Sequence, residues 1–79
     1  MIVEFTRAHI RMTFEEKTVT VGGEGLLPGF DSPDFVIYSN TITHFDAPDF
    51  TPIDAPTRAR ILDELARLLI ARNTRFKIE

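Results

Sequence analysis

The hydrophobic period changes twice along this chain, and those changes limit the folds open to it. Up to residue 45 the apolar residues fall in short runs of strand type, most of them alternating; from Asp54 to Asn73 they recur at helical spacing, and residues 75–78 alternate again. Alternation with β-branched and aromatic residues is the pattern of half-buried strands. Val3 and Phe5 alternate with Ile2 and Glu4, and Ile10, Met12 and Phe14 alternate with His9, Arg11 and Thr13. Residues 18–21 alternate again, and the polar turn Glu15-Glu16-Lys17 joins them to the preceding run, so the first 21 residues predict an antiparallel meander. Phe35-Val36-Ile37-Tyr38 and residues 41–45 predict two further strands around a Ser39-Asn40 turn.

The helical segment carries its own start and stop. Asp54 can accept from the free N–H groups of a first turn, and Pro56 sits where a missing N–H costs nothing. Ile61, Leu62, Leu65, Leu68 and Leu69 make one stripe. Asp63 and Arg67 form an i,i+4 pair in the favoured order, and Asn73 suits a left-handed stop. Residues 75–78 then alternate as a last strand. The order predicts an α+β fold: an antiparallel sheet of five to six strands, one C-terminal helix packed on one face, and a final strand after it.

A chain of 79 residues has room for one core, so residues 1–79 are expected to form a single domain. Such a core supplies only about 3–5 kcal/mol of net stability, and cysteine is absent, so no disulfide assists it. A homodimer, or a tight partner, is a structural expectation on that ground. Acid at position 4 and base at position 7 interrupt any secretory apolar run. No aliphatic stretch is long enough to span a bilayer. The expected location is cytoplasmic, away from the membrane.

Charge is unevenly placed. Residues 18–57 hold no Lys or Arg but six carboxylates: Glu24, Asp31, Asp34, Asp46, Asp49 and Asp54. Residues 58–79 hold six basic side chains against three acidic ones. Within the acidic stretch, Phe30-Asp31-Ser32-Pro33-Asp34-Phe35 recurs as Phe45-Asp46-Ala47-Pro48-Asp49-Phe50. Turn chemistry accounts for the repetition, since Asp and Pro form turns and Phe anchors loop ends. The functional reading is a pair of acidic loops facing a basic partner, which speeds encounter with cationic proteins and rejects anionic ones.

Other chemistry finds little support. Gly22-Gly23-Glu24-Gly25 has the look of a phosphate loop but lacks the Lys-Ser/Thr that must follow, and reads as a flexible turn opening a long irregular stretch to residue 34. In that stretch Leu26, Leu27 and Phe30 are expected to fold back onto the core or to add a short edge strand, in preference to forming a binding loop. His9, His44, Asp46 and Asp49 are too few and too scattered to predict a metal site, and no calcium-loop spacing is present. Ser32 and Ser39, the only serines, lie in no nucleophile elbow, and no acid–base pair stands out. The expectation is a protein without catalytic residues, cofactor or metal. Nucleic-acid binding would rest on Arg7, Arg11 and the basic C-terminal segment, but the net charge of −3 and the acidic loops oppose it.

Several short motifs carry a resemblance. Thr6-Arg7-Ala8-x-Ile10, Gly23-Glu24, Ile42-x-x-Phe45-Asp46-x-Pro48 and the helix–strand over residues 61–78 resemble the small bacterial immunity-protein family numbered 74 of polymorphic toxin systems. The resemblance implies a non-catalytic inhibitor that binds a cognate toxin domain, in many such systems a nuclease, and blocks it. With the charge map, it points to Glu24, Asp31, Asp34, Phe45, Asp46 and Asp49 as partner-binding residues. It leaves open whether Arg7 and Glu24 instead form an ion pair that holds the fold. The alternative function is that of a structural or regulatory homodimer.

Overall fold

The structure, a computed structural model, describes residues 1–27, 29 and 32–79. Five strands form one sheet in the order β1-β2-β3-β4-β5: Ile2–Phe5, His9–Phe14, Lys17–Gly25, Phe35–Ile37 and Phe76–Ile78. The first three pairings are antiparallel and the last, β4 with β5, is parallel. The sheet is therefore mixed. The reason is helix α1 (Ala55–Ala71), which lies in the chain between β4 and β5. A helix of 17 residues runs about 25 Å back over the sheet, so the next strand starts at the end where β4 started.

Helix α1 forms as its sequence dictates. The Asp54 carboxylate accepts from the Thr57 N–H (2.9 Å), and Asn73 sits at φ 56° just past the end. Ile61, Leu65 and Leu69 are buried, with Leu62 and Leu68 flanking them. They meet Ile10, Met12, Val19, Val21, Phe35 and Ile37 from one face of the sheet. That buried stripe sets which face the helix covers; at its ends Arg60 crosses the Phe14 ring at 5.2 Å and Arg72 the Phe5 ring at 5.4 Å. Arg67 pairs with Glu64, three residues back, and not with Asp63; both spacings bring side chains together on a helix.

Three strand expectations need correction. The alternation at the N-terminus is broken by a bulge between Ile2 and Glu4, so Ile2 and Phe5 both pack on the core while Val3 is exposed. Gly22-Gly23-Glu24-Gly25 is no flexible turn: it is the second half of β3, paired to β4 through Gly23 and Ile37 and through Gly25 and Phe35. A side chain at Gly23 would overlap the Phe35 ring and the Val36 carbonyl, so only glycine lets β4 close on β3 here. Residues 41–45 are not a strand. Ser39–Thr41 is a turn of 3₁₀ helix, and the Thr41 hydroxyl accepts from the Gly22 N–H at 2.8 Å.

The other face of the sheet bears Glu4, His9, Arg11, Thr13, Thr18, Thr20 and Glu24, which alternate with the core residues along β1–β3. Val36 and Tyr38 continue it on the β4 side. Leu26 is half-buried, with its N–H on the Asp34 carbonyl, while Leu27 is exposed; Phe30 lies outside the described residues.

Candidate partner interface

The segment after Ser39–Thr41 doubles back as a miniature hairpin along the edge of β3. Ile53 N–H donates to the Thr43 carbonyl and Phe45 N–H to the Thr51 carbonyl, both at 2.9 Å, around a bridge between His44 and Pro52. Phe45 and Ile53 are the buried feet of this hairpin, 6% and 8% exposed. Phe45 lies in the core with the Lys17 ammonium 4.9 Å above its ring, so it offers packing beneath the loop and little surface.

Residues 46–50 form the tip. Asp46 ties it to the sheet twice: its N–H donates to the Thr18 carbonyl, and its carboxylate accepts from the Thr20 hydroxyl, each at 2.8 Å. The Asp46 carbonyl accepts from the N–H groups of Asp49 (3.1 Å) and Phe50 (3.3 Å), which curls the chain. The Ala47–Pro48 peptide is cis. Beyond this frame, residues 47–52 are exposed. The Asp49 carboxylate has no ion-pair or hydrogen-bond partner among the described residues. Phe50 sits at φ 53° with its side chain 65% exposed.

The remaining carboxylates lie at the far end of β3. Glu24 accepts from the Tyr38 hydroxyl at 2.9 Å, and that bond raises the Tyr38 pKa above its ordinary value. Among the described residues Arg7 and Glu24 form no ion pair; Arg7 instead uses its carbonyl, which accepts from the Gly25 N–H at 2.7 Å. Asp34 accepts from the Arg75 N–H (2.9 Å) and faces its guanidinium at 3.7 Å. Asp31 lies outside the described residues. The predicted set is thus brought together in two groups, Asp46 with Asp49 and Glu24 with Asp34. Thr20, which holds Asp46, is separated from Glu24 by roughly 13 Å of strand.

Between them the open face is polar and mixed in sign. His9 Nε2 donates to Glu4 at 2.6 Å; that bond, aided by the charge of Arg11, holds the Glu4 carboxyl below its ordinary value. An open cleft of about 430 Å³ lies at the Glu24 end, lined by Phe5, Arg7, Leu26, Leu27 and Asp34 among others. No three potential metal ligands converge among the described residues, and no helix there is long and apolar enough to cross a membrane.

Sequence reasoning missed Thr20 and Tyr38 because the partners that give them roles are distant in the chain. It missed Phe50 because the repeated motif makes Phe50 equivalent to Phe35, which is buried in β4. No curated protein matches the chain, and no solved structure does. A family model described as Immunity protein 74 matches residues 2–79, in keeping with the resemblance in the sequence motifs, and the chain belongs to that family.

Proposed function

We propose that this protein neutralises a cognate toxin domain by binding it, without catalysis, as a single α+β domain acting in the cytoplasm of the cell it protects. The family supplies the immunity role, and a toxin is the partner that role implies. The observation that carries the binding mode is the hairpin tip at residues 46–50: an exposed, backbone-locked loop that presents a carboxylate and an aromatic ring. A loop already held in place loses little entropy when it docks.

The partner surface this favours is cationic, as on a toxin that handles phosphates, a nuclease being the clearest case. Asp49, Glu24 and Asp34 are the exposed carboxylates that would meet it, with Asp31 beside them in the sequence. Asp46 and Phe45 set the tip in place. A standard interface covers about 800 Å² per partner, roughly 30 Å across, which is enough to take in both ends of β3.

The test begins with capture of the partner from a host lysate and its identification by mass spectrometry. The affinity of the purified, inactivated toxin domain is then measured against salt. Reversal of Glu24, Asp34 and Asp49 to Lys should slow association at low salt by about 10-fold or more, with the difference shrinking as salt rises. Unchanged affinity at low salt would remove the acidic contact from this reading.

A further inference from the structure

We infer that Phe50 is the apolar anchor of the toxin contact, and that the toxin surface carries an apolar socket set beside basic groups. This rests on the neutralisation reading and specifies the side chain on which tight binding depends. Neither packing nor turn geometry accounts for a phenylalanine at this position. The ring is absent from the core cluster, and Phe50 is the one aromatic residue among those described that is exposed. Its backbone lies at φ 53°, where glycine or asparagine would hold the same curl with less strain. The strain persists because the two Asp46 carbonyl bonds and the hairpin rungs on either side fix the tip.

The other large exposed apolar side chains have plainer settings. Met1 and Val3 lie before and at the β1 bulge, Ile78 in β5, Ile70 on the outer side of α1, and Leu27 adjoins residues outside the described set. Isolated apolar residues of that kind are normal on a protein surface. Phe50 differs in being a rigid ring held outward next to Asp49, whose carboxylate has no partner among the described residues. An aromatic anchor entering a pocket, rimmed by charge that matches the partner, is the arrangement that concentrates binding energy in few residues. The acidic character of residues 18–57 selects a cationic partner for it.

The test uses the full chain and the purified, inactivated cognate toxin domain. Phe50→Asn keeps a residue suited to the left-handed turn, and Phe50→Ala removes the ring alone. Both variants should bind roughly 30-fold or more weakly, chiefly through faster dissociation, at low and high salt alike. Phe50→Asn should melt no lower than the wild type, which separates lost contact from lost folding. Asp49→Lys should show the opposite salt behaviour, its loss fading as salt rises. Affinities of both Phe50 variants within twofold of wild type would overturn the inference. So would loss of self-association in Phe50→Ala with toxin affinity intact, since the ring would then cover a second copy of the chain. Failure of the wild-type protein to bind the toxin would instead overturn the neutralisation reading, and the anchor with it.

Discussion

Tyr38 and Glu24 illustrate what a single side-chain pair on the open face does. The phenol donates to the carboxylate at 2.9 Å, so ionising the phenol breaks the bond and sets two negative charges together. Its pKa is therefore raised, first by the hydrogen bond and then by partial desolvation. Folding favours the protonated phenol, so the stability from this pair is complete below the ordinary tyrosine value, about pH 10, and is lost as pH climbs through the higher folded value. The chain has one tyrosine and no tryptophan, so phenolate absorbance reports Tyr38 alone. A spectroscopic titration should give a midpoint above that of free tyrosine, and Glu24→Gln should move it down. A midpoint that does not respond to Glu24→Gln would show that the bond is not formed in solution. The same scale explains why the repeated motif misled. Asp34 and Asp49 stand at equivalent places, yet Asp34 finds Arg75 and Asp49 finds no partner among the described residues. Phe35 enters the core and Phe50 stays outside. Six residues of identical pattern do not encode which strand or helix will arrive from elsewhere in the chain.

At the scale of elements, the helix was legible in the sequence and the middle of the sheet was not. Asp54, Pro56, the Ile61–Leu65–Leu69 spacing and Asn73 all act within a few residues of one another, so local chemistry suffices. Strand β3 runs on into three glycines, which local chemistry reads as a turn; it is a strand because distant partners bond both its edges, β4 on one and residues 7–9 on the other. The close approach at Gly23 makes this testable. A methyl group there meets the Phe35 ring and, more seriously, the Val36 carbonyl, which is backbone and cannot rotate away. Gly23→Ala should cost about 2–3 kcal/mol, or roughly 8–24 °C in melting temperature for a chain of this size. At Gly22 the nearest atom would be the Thr41 Cγ2 at 2.8 Å; that side chain is held by its hydroxyl bonds to the Gly22 N–H and the Tyr38 carbonyl, but no backbone atom is among the near contacts, so Gly22→Ala should cost less than Gly23→Ala. Equal melting temperatures for the two variants would mean that β4 does not pack against β3 as described. The bulge at Val3 and the parallel β4–β5 pair escaped the sequence for a related reason: register and strand direction are set by partners, not by period.

The whole molecule divides its work between two faces, and its response to acid follows from where the carboxylates sit. The helix side carries the core, with its basic side chains laid over Phe5 and Phe14. The other side holds polar residues and the two carboxylate groups at its ends. The charge asymmetry that suggested this division was visible in the sequence; the two gatherings were not, because Glu24 and Asp34 meet through the β3–β4 pairing and the tip with Asp46 and Asp49 is set by a hairpin and its bonds to Thr18 and Thr20. Two carboxyls bind folding to pH. Glu4 is held below its ordinary value first by the hydrogen bond from His9, and Asp54 first by its hydrogen bonds with Thr57 at the start of α1. A depressed folded pKa means that the unfolded chain takes up protons first as pH falls. The stability from these groups is therefore complete above the ordinary carboxylate range, about pH 4–4.5, and drains away as pH falls through the lower folded values. Melting temperature should hold steady from pH 7 to about 5 and fall below that. Asp54→Asn combined with Glu4→Gln supplies the decisive comparison, because asparagine caps a helix about as well as aspartate and glutamine can still accept from His9. The double variant should stay folded at neutral pH and lose less of its melting temperature between pH 5 and 3 than the wild type does. Parallel curves for the two proteins would place the acid sensitivity outside Glu4 and Asp54.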